Sequence, residues 1–373
     1  MPSWQRMRPS NIRSVDYAIL AKLESGLPLT PRPFRDLGNS LDITTDLSDL
    51  KQAEDLGGRN ENLKQAEDLG GRNENLKRVK DLDSRNENLK EAETISHIYS
   101  LKERGIIRQI GPLFEPRQLN YKTALVGVKA KPIETGANLI ATYPGVSHVY
   151  EREHEINLWF TIAVPADVNI EEKVTELLGP TAIETPIILP ALRVFKLQSA
   201  FTTQGGTKQV KPPSINPLPL SDIEKAVINS LPADLPLIPQ PFDDIAGQIG
   251  IQVDTLLATC RQLMERGVMR RFSASINHRS LGFAANAMAC WDVPKEFVGD
   301  MAQHLVAFPE VSHCYERKVT PAWPFNLFAM VHAPERQLCL DIIERVSDLT
   351  GQKNRVVLFS NREFVKRRAR YTV

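Results

Sequence analysis

Apolar residues in the second half of the chain follow a helical spacing first and a strand spacing later. Residues 222–231 and 253–266 place Ile, Val and Leu three and four positions apart, which predicts two amphipathic helices with a short one over 242–249 between them. Gly267 ends the last of these. The arrangement is a helix-turn-helix. Apolar runs then predict strands over 283–291, 311–318, 325–332 and 355–359, and helices over 294–307 and 334–349. The order βαββαβ is ferredoxin-like. The first half repeats it, with strands near 123–129, 146–152, 158–164 and 187–196.

The repetition extends to the residues themselves. Leu27-Pro28-Leu29-Thr30-Pro31-Arg32-Pro33-Phe34 returns as Leu235-Pro236-Leu237-Ile238-Pro239-Gln240-Pro241-Phe242, and Leu101-Lys102-Glu103-Arg104-Gly105 as Leu263-Met264-Glu265-Arg266-Gly267. Tyr143-Pro144-Gly145-Val146-Ser147-His148-Val149-Tyr150-Glu151-Arg152 returns as Phe308-Pro309-Glu310-Val311-Ser312-His313-Cys314-Tyr315-Glu316-Arg317. Two homologous halves are therefore fused in tandem. The expected fold is α+β, two copies of a winged helix-turn-helix module followed by a ferredoxin-like sandwich. The boundaries read 14–118 and 119–201 for the first copy, 220–281 and 282–373 for the second, with a Gly-, Pro- and Lys-rich linker over 202–219.

A smaller repeat interrupts the first module: the 13 residues LKQAEDLGGRNEN at 50–62 recur identically at 63–75 and with drift at 76–88. Pro28 and Pro236 lie 208 positions apart but Leu101 and Leu263 only 162, so the first half carries 46 more residues, at about 45–90. A 13-residue period does not align into one helical stripe. The segment is expected to be a solvated insertion, its helical fragments broken at Gly57-Gly58 and Gly70-Gly71.

Composition narrows the class of function. Lys plus Arg total 46 against 45 acidic residues, so no whole-molecule field favours nucleic acid or an anionic membrane, and any anion site must be local. No signal peptide or membrane span is legible, which makes cytoplasm the expected location. The four cysteines, Cys260, Cys290, Cys314 and Cys339, show no metal-binding spacing, so no metal site of the protein's own is expected.

Candidate chemistry clusters on two matching hairpins. Strand alternation puts His148, Tyr150 and Arg152 on one face, followed by His154 at the turn, with Asn157, Trp159 and Thr161 on the partner strand. The apolar set Leu158, Phe160 and Ile162 should meet the helices, leaving this other face open. The second half echoes it with His313, Tyr315 and Arg317, then Trp323, Asn326 and His332. Aromatic rings suit a flat macrocycle, and guanidiniums suit its carboxylates. His97, His278 and His304 have no such company, and Lys366-Arg367-Arg368 reads as a solvated tail that could also hold ligand carboxylates.

At these hairpins the sequence resembles the siroheme decarboxylases, relatives of the Lrp/AsnC transcription regulators. The marks are Arg152-Glu153-His154-Glu155-Ile156-Asn157-Leu158-Trp159-Phe160-Thr161, and Trp323-Pro324-Phe325-Asn326-Leu327-Phe328 with Val331-His332. The two halves differ as that family's paired subunits do. The resemblance implies a pseudo-dimer within one chain, with homodimerisation left open. It implies loss of two acetate carboxyls from siroheme to give 12,18-didecarboxysiroheme, without an added cofactor, in d1-type or alternative haem synthesis. The proton donor is then sought among His154, His313, His148, Tyr150 and Tyr315. Substrate contacts are expected from Arg152, Arg317, Trp159, Trp323, Asn157, Asn326 and His332, and a histidine could ligate the substrate's iron. Two other readings share the fold: an Lrp/AsnC-like DNA-binding regulator and a non-catalytic tetrapyrrole sensor. DNA binding is disfavoured by the mixed charge of the recognition helices, with Arg261 and Arg266 against Asp254 and Glu265, and three Glu over 91–104.

Overall fold

The computed structural model describes residues 12–41, 72–182, 184–197 and 219–373. The first half runs α1 (Ser14–Ser25), α2 (Pro33–Asn39), α3 (Arg72–Glu103), β1 (Ile107–Phe114), β2 (Tyr121–Val128), α4 (Ile133–Ala141), β3 (Val146–Arg152), β4 (Leu158–Pro165), α5 (Ile170–Leu178) and β5 (Ile187–Leu197). The second runs α6 (Asp222–Ser230), α7 (Asp243–Gln248), α8 (Val253–Glu265), β6 (Met269–Ile276), β7 (Ala285–Trp291), α9 (Val298–Val306), β8 (Val311–Arg317), β9 (Leu327–Ala333), α10 (Arg336–Thr350) and β10 (Arg355–Lys366). None of the described helices is long and apolar enough to cross a membrane.

Local chemistry accounts for the helix limits. Ser221 and Glu224 form a reciprocal capping box at the start of α6, satisfying two backbone donors. Gly105 and Gly267 follow α3 and α8 at φ of +65° and +72°, the left-handed conformation that ends a helix most cheaply at glycine. The insertion departs from expectation at its C-terminal side. Its third repeat copy is continuous with α3, a helix of 32 residues, because no glycine pair interrupts 72–103. The expected breaks at Gly57-Gly58 and Gly70-Gly71, and nearly all of the linker, lie outside the described residues.

The strands that follow α3 and α8 do not fold back as separate wings. β1 and β6 pair with each other in an antiparallel ribbon, Gly111 opposite Ser273, and their apolar residues join one core shared by both helix-turn-helix modules.

The larger correction concerns the sandwiches. Eight strands close into a barrel in the order β10-β3-β4-β2-β5-β8-β9-β7. Closure comes from two long strands that exchange partners midway. β5 pairs with β2 as far as Pro190 and with β8 from Ala191, while β10 pairs with β7 as far as Phe359 and with β3 from Ser360. The sheet faces expected to be open therefore look at each other inside a barrel, and the expected pseudo-dimer is its pseudo-twofold arrangement. Each outer face packs on its own helices, Val126, Val149 and Phe160 against α4 and α5, Ala287, Val311 and Val331 against α9 and α10. Inside the barrel Trp159, Trp323, Phe328 and Leu358 pack together in one apolar cluster. An eight-stranded barrel is just wide enough for such filling.

The C-terminus is not a solvated tail. Arg367 donates to the carbonyls of Ala141, Tyr143 and Val146, and Arg368 to those of Gly111 and Ser273. Tyr371 packs edge-on against Phe114 and Tyr121.

One buried acid lies in this helical layer. Glu24 on α1 is 1% exposed, and burial pushes its carboxyl up to about 8 against the pull of Arg271. A folded-state value above the unfolded one means that the protonated form is the stabilising one, so stability is full below about pH 4.5 and declines as pH rises towards 8. Glu24→Gln is expected to remove that decline, raising stability at pH 8 by on the order of 3 kcal/mol. Denaturant titrations of both proteins at pH 6 and 8 check this. Equal losses in both would show that Glu24 is ionised without cost.

Candidate active site inside the strand-exchanged barrel

β3 and β8 stand on opposite sides of the barrel, four strands apart in either direction. Each begins with a bulge, where the register slips between Val146 and His148 and between Val311 and His313. The bulge re-aims the histidine inward. On β3 the His148 ring lies nearly parallel to Tyr150 at 6.3 Å, with the Arg152 guanidinium 5.3 Å from the phenol ring. β8 copies this ladder, with His313 6.1 Å from Tyr315 and Arg317 at 4.7 Å. The predicted sets of three thus converge on one interior, with His148 and His313 in electrostatic reach of each other.

The two arginines reach the strand-exchange points. Arg152 Nη1 donates to Leu358 O at 3.1 Å, and Arg317 Nη1 to Leu189 O at 2.9 Å. Arg117 and Arg279 donate to Ala191 O and Ser360 O, the first residues past each exchange. Among the described residues neither Arg152 nor Arg317 meets a carboxylate, and the Nε of each is buried without a partner. Burial brings the Arg152 guanidinium down to about 10, still cationic at neutral pH.

The first-half side is the more charged. Glu363, in register with Tyr150, accepts from its hydroxyl at 3.3 Å and pairs with Arg108 of the ribbon at 2.6 Å. Lys366 stands opposite His148. Burial, then Lys366, with smaller contributions from His313 and Arg108, pushes His148 down to about 3, so it is neutral at physiological pH. The second-half side has Val194 opposite Tyr315, while Arg270, the counterpart of Arg108, is held by Glu115. Burial raises both phenols, so Tyr150 and Tyr315 keep their protons and act as donors. His148, His313, Tyr315 and Arg317 retain partial exposure, whereas Tyr150 and Arg152 are 8% and 4% exposed.

Several expected contacts belong elsewhere. The side-chain amide of Asn157 exchanges hydrogen bonds with the N–H and C=O of Ala130, and Asn326 does the same with Val293. With donor and acceptor both spent on backbone, these residues shape the hairpins rather than face a ligand. Trp159 donates to Ile156 O and packs 5.0 Å from Trp323 in the barrel's aromatic plug, and Gly127 makes room for it, since a Cβ there would meet the indole at 2.8 Å. Cys290 takes the place of Gly127 opposite the smaller Phe328. His154 sits at the hairpin end, accepting Ile156 N–H on Nδ1 and edging Trp323 at 5.6 Å, on the far side of Arg152 from His148. His332 lies behind Ser312 and is 8% exposed. Asn326→Ala is expected to lower stability by about 1–3 kcal/mol, because the Val293 peptide is left unpaired. The check is a denaturation midpoint, and an unchanged midpoint would return Asn326 to the list of ligand contacts.

Sequence reasoning missed Ser147, Ser312, Arg108, Arg270, Arg117, Arg279 and Glu363. A signal existed for most of them: Arg108 and Arg270, like Arg117 and Arg279, are 162 positions apart, and both serines sit inside the quoted repeat.

Two units of the Lrp/AsnC ligand-binding type, locked into one barrel with paired cation and aromatic ladders inside, define the class of protein. The AsnC-like ligand binding domain family matches residues 119–196 and 280–365, and the siroheme decarboxylase NirDL-like HTH domain family matches 224–270. A siroheme decarboxylase of Hydrogenobacter thermophilus is 34% identical over 75% of this chain and 86% of its own length. The siroheme decarboxylase beta subunit of Methanosarcina barkeri is 41% identical over 35% of this chain and 87% of itself, the span of a single half. The crystal structure of the siroheme decarboxylase NirDL superposes with a TM-score of 0.63 at 27% identity, covering 96% of this chain and 94% of that one. A second structure of NirDL holds an iron-uroporphyrin III analogue and superposes with a TM-score of 0.62 at 27% identity, over 95% and 94%. The chain belongs to the siroheme decarboxylase family.

Proposed function

We infer that this chain is a carboxy-lyase acting on siroheme, and that it removes two acetate carboxyls to give 12,18-didecarboxysiroheme. The observation that carries the reading is the pair of inward guanidiniums, Arg152 buried and Arg317 partly buried, each with a buried, unpartnered Nε donor and no carboxylate from the described residues. A buried charge without a counter-ion costs several kcal/mol, and a polycarboxylate ligand supplies one.

The chemistry follows from atom balance. Loss of CO₂ from an acetate leaves an electron pair on the methylene carbon, which the macrocycle accepts until a proton takes the place of the carboxyl. The exchange is redox-neutral, so no added cofactor is required, and the iron enters with the substrate. Arg152 and Arg317 hold carboxylates that stay, because a guanidinium gripping the departing one would stabilise the ground state. The protonated Tyr150 and Tyr315 orient the substrate by hydrogen bonds. His148 and His313 are the groups placed to ligate iron or pass a proton.

The tandem helix-turn-helix modules act as scaffold. Arg261 of α8 donates to Leu29 O, and Arg266, which caps the end of that helix, is held by Glu224 and Pro219 O, so both arginines are engaged within the protein. The regulator reading needs them on phosphates. Anaerobic incubation of the purified chain with siroheme, followed by mass analysis, tests the proposal, with loss of two CO₂ units as the expected result. An unchanged mass together with a sequence-selective mobility shift on DNA would replace the enzyme by the regulator.

A further inference from the structure

The two inward ladders look alike, but only one continues beyond its serine. In the first half Ser147 Oγ lies 2.7 Å from His148 Nδ1, and among the described residues no second imidazole joins that hydroxyl. In the second half Ser312 Oγ lies 2.7 Å from His313 Nδ1 and 2.8 Å from His332 Nε2, joining the two imidazoles through one hydroxyl. The position on β4 that matches His332 on β9 is Ala163, so the first half has no counterpart.

A serine hydroxyl donates once, and Ser312 Oγ also lies 3.5 Å from Met330 O. The relay uses the tautomers in which His332 Nε2–H donates to Ser312, Ser312 donates to His313 Nδ1, and His313 carries its proton on Nε2. At the other end the backbone N–H of His332 bonds Glu310 O in the partly exposed turn before β8, and the His332 side chain is buried, at 8% exposure.

We propose that His332 and Ser312 are positioning residues that resupply His313 with protons, which makes the second half the protonating half and the first half a binding half. The inference rests on the decarboxylase reading. Each CO₂ lost requires one proton at carbon. His313 gives its Nε2 proton to the methylene carbon as Nδ1 takes one from Ser312, Ser312 takes the Nε2 proton of His332, and His332 Nδ1 takes one from solvent. Imidazole leaves this step neutral with its tautomer exchanged, so no imidazolium has to form in the desolvated interior. Each passage leaves the His313 proton on Nδ1, so the second decarboxylation of one bound substrate follows only after the chain of groups has returned to its starting tautomers.

The test compares Ser312→Ala with Ser147→Ala in the full-length chain under single-turnover conditions. Ser312→Ala is expected to bind siroheme with unchanged Kd and to lose CO₂ at least tenfold more slowly than Ser147→Ala, with the singly decarboxylated product accumulating. Ser312→Thr should restore most of the rate, because it returns the hydroxyl. In mixed H₂O/D₂O the wild-type rate should fall along a curve, as for several protons in flight, and the Ser312→Ala rate along a straight line. Equal slowing of both serine variants, or a fast Ser312→Ala, overturns the relay. Failure of the wild type itself to release CO₂ instead overturns the decarboxylase reading on which it rests.

Discussion

Replacing Arg317 with Ala is expected to weaken siroheme binding by about 10–100-fold, the equivalent of one charge-assisted, partly desolvated carboxylate contact. The guanidinium donates one Nη1–H to Leu189 O and leaves Nε buried without a partner, so it has donors to give to a ligand and no carboxylate of the protein's own. An anchor of this kind contacts a carboxylate present in both ground and transition states, so KM should rise more than kcat falls. Arg152→Ala should behave in the same way. Part of either effect will be structural, because Leu358 O and Leu189 O adjoin the points where β10 and β5 change partners. Lys variants separate the two contributions. Lysine keeps the charge but cannot reproduce the planar fork, so Arg317→Lys should recover part of the affinity. Spectral titration with siroheme and thermal melts of the same samples are the measurements. Undiminished affinity in Arg317→Ala would end its assignment as an anchor.

The two-half architecture was legible because duplication leaves aligned residues, and the inward ladder because side chains on a strand alternate. Which surface the ladder faced was not legible. Alternation distinguishes the faces of β3 but does not say that β5 and β10 run on into the other half, and those runs of 11 and 12 residues turn an open face into a barrel interior. The same limit explains Trp159 and Trp323. Their type and period fit a ligand wall as well as a core plug, and only closure makes them neighbours at 5.0 Å. Asn157 and Asn326 show a different limit, since whether an amide faces ligand or clamps a peptide is decided by Ala130 and Val293, residues distant in sequence. Lys366 looked like part of a tail because a run of cations at a terminus carries no period, and pairing with β3 brings it opposite His148.

The histidines are expected to differ in kinetics. His313→Ala should lower the rate of CO₂ loss by about 10²–10⁴-fold while siroheme still binds, the range that general acid catalysis contributes. His148→Ala should cost much less in rate. Its imidazole is pushed down to about 3 by burial and by Lys366 and Arg108, so at neutral pH it carries no acidic proton beyond the one a neutral ring holds, and Ser147 connects it to no second imidazole. The same value fixes the pH profile: between pH 5 and 9 His148 does not titrate, so no limb of the rate curve in that window belongs to it. His154→Ala should act through structure, because Nδ1 caps Ile156 N–H and the ring edges the Trp323 plug. Its signature is a lower melting temperature with kcat largely preserved. Single-turnover product analysis and a siroheme titration on each variant separate chemistry from binding. If His313→Ala turns over at full rate and His148→Ala does not, the protonating half has been placed on the wrong side of the barrel. If both turn over at full rate, the proton comes from Tyr150 or Tyr315, the next groups along the same inward faces, whose phenols burial keeps protonated.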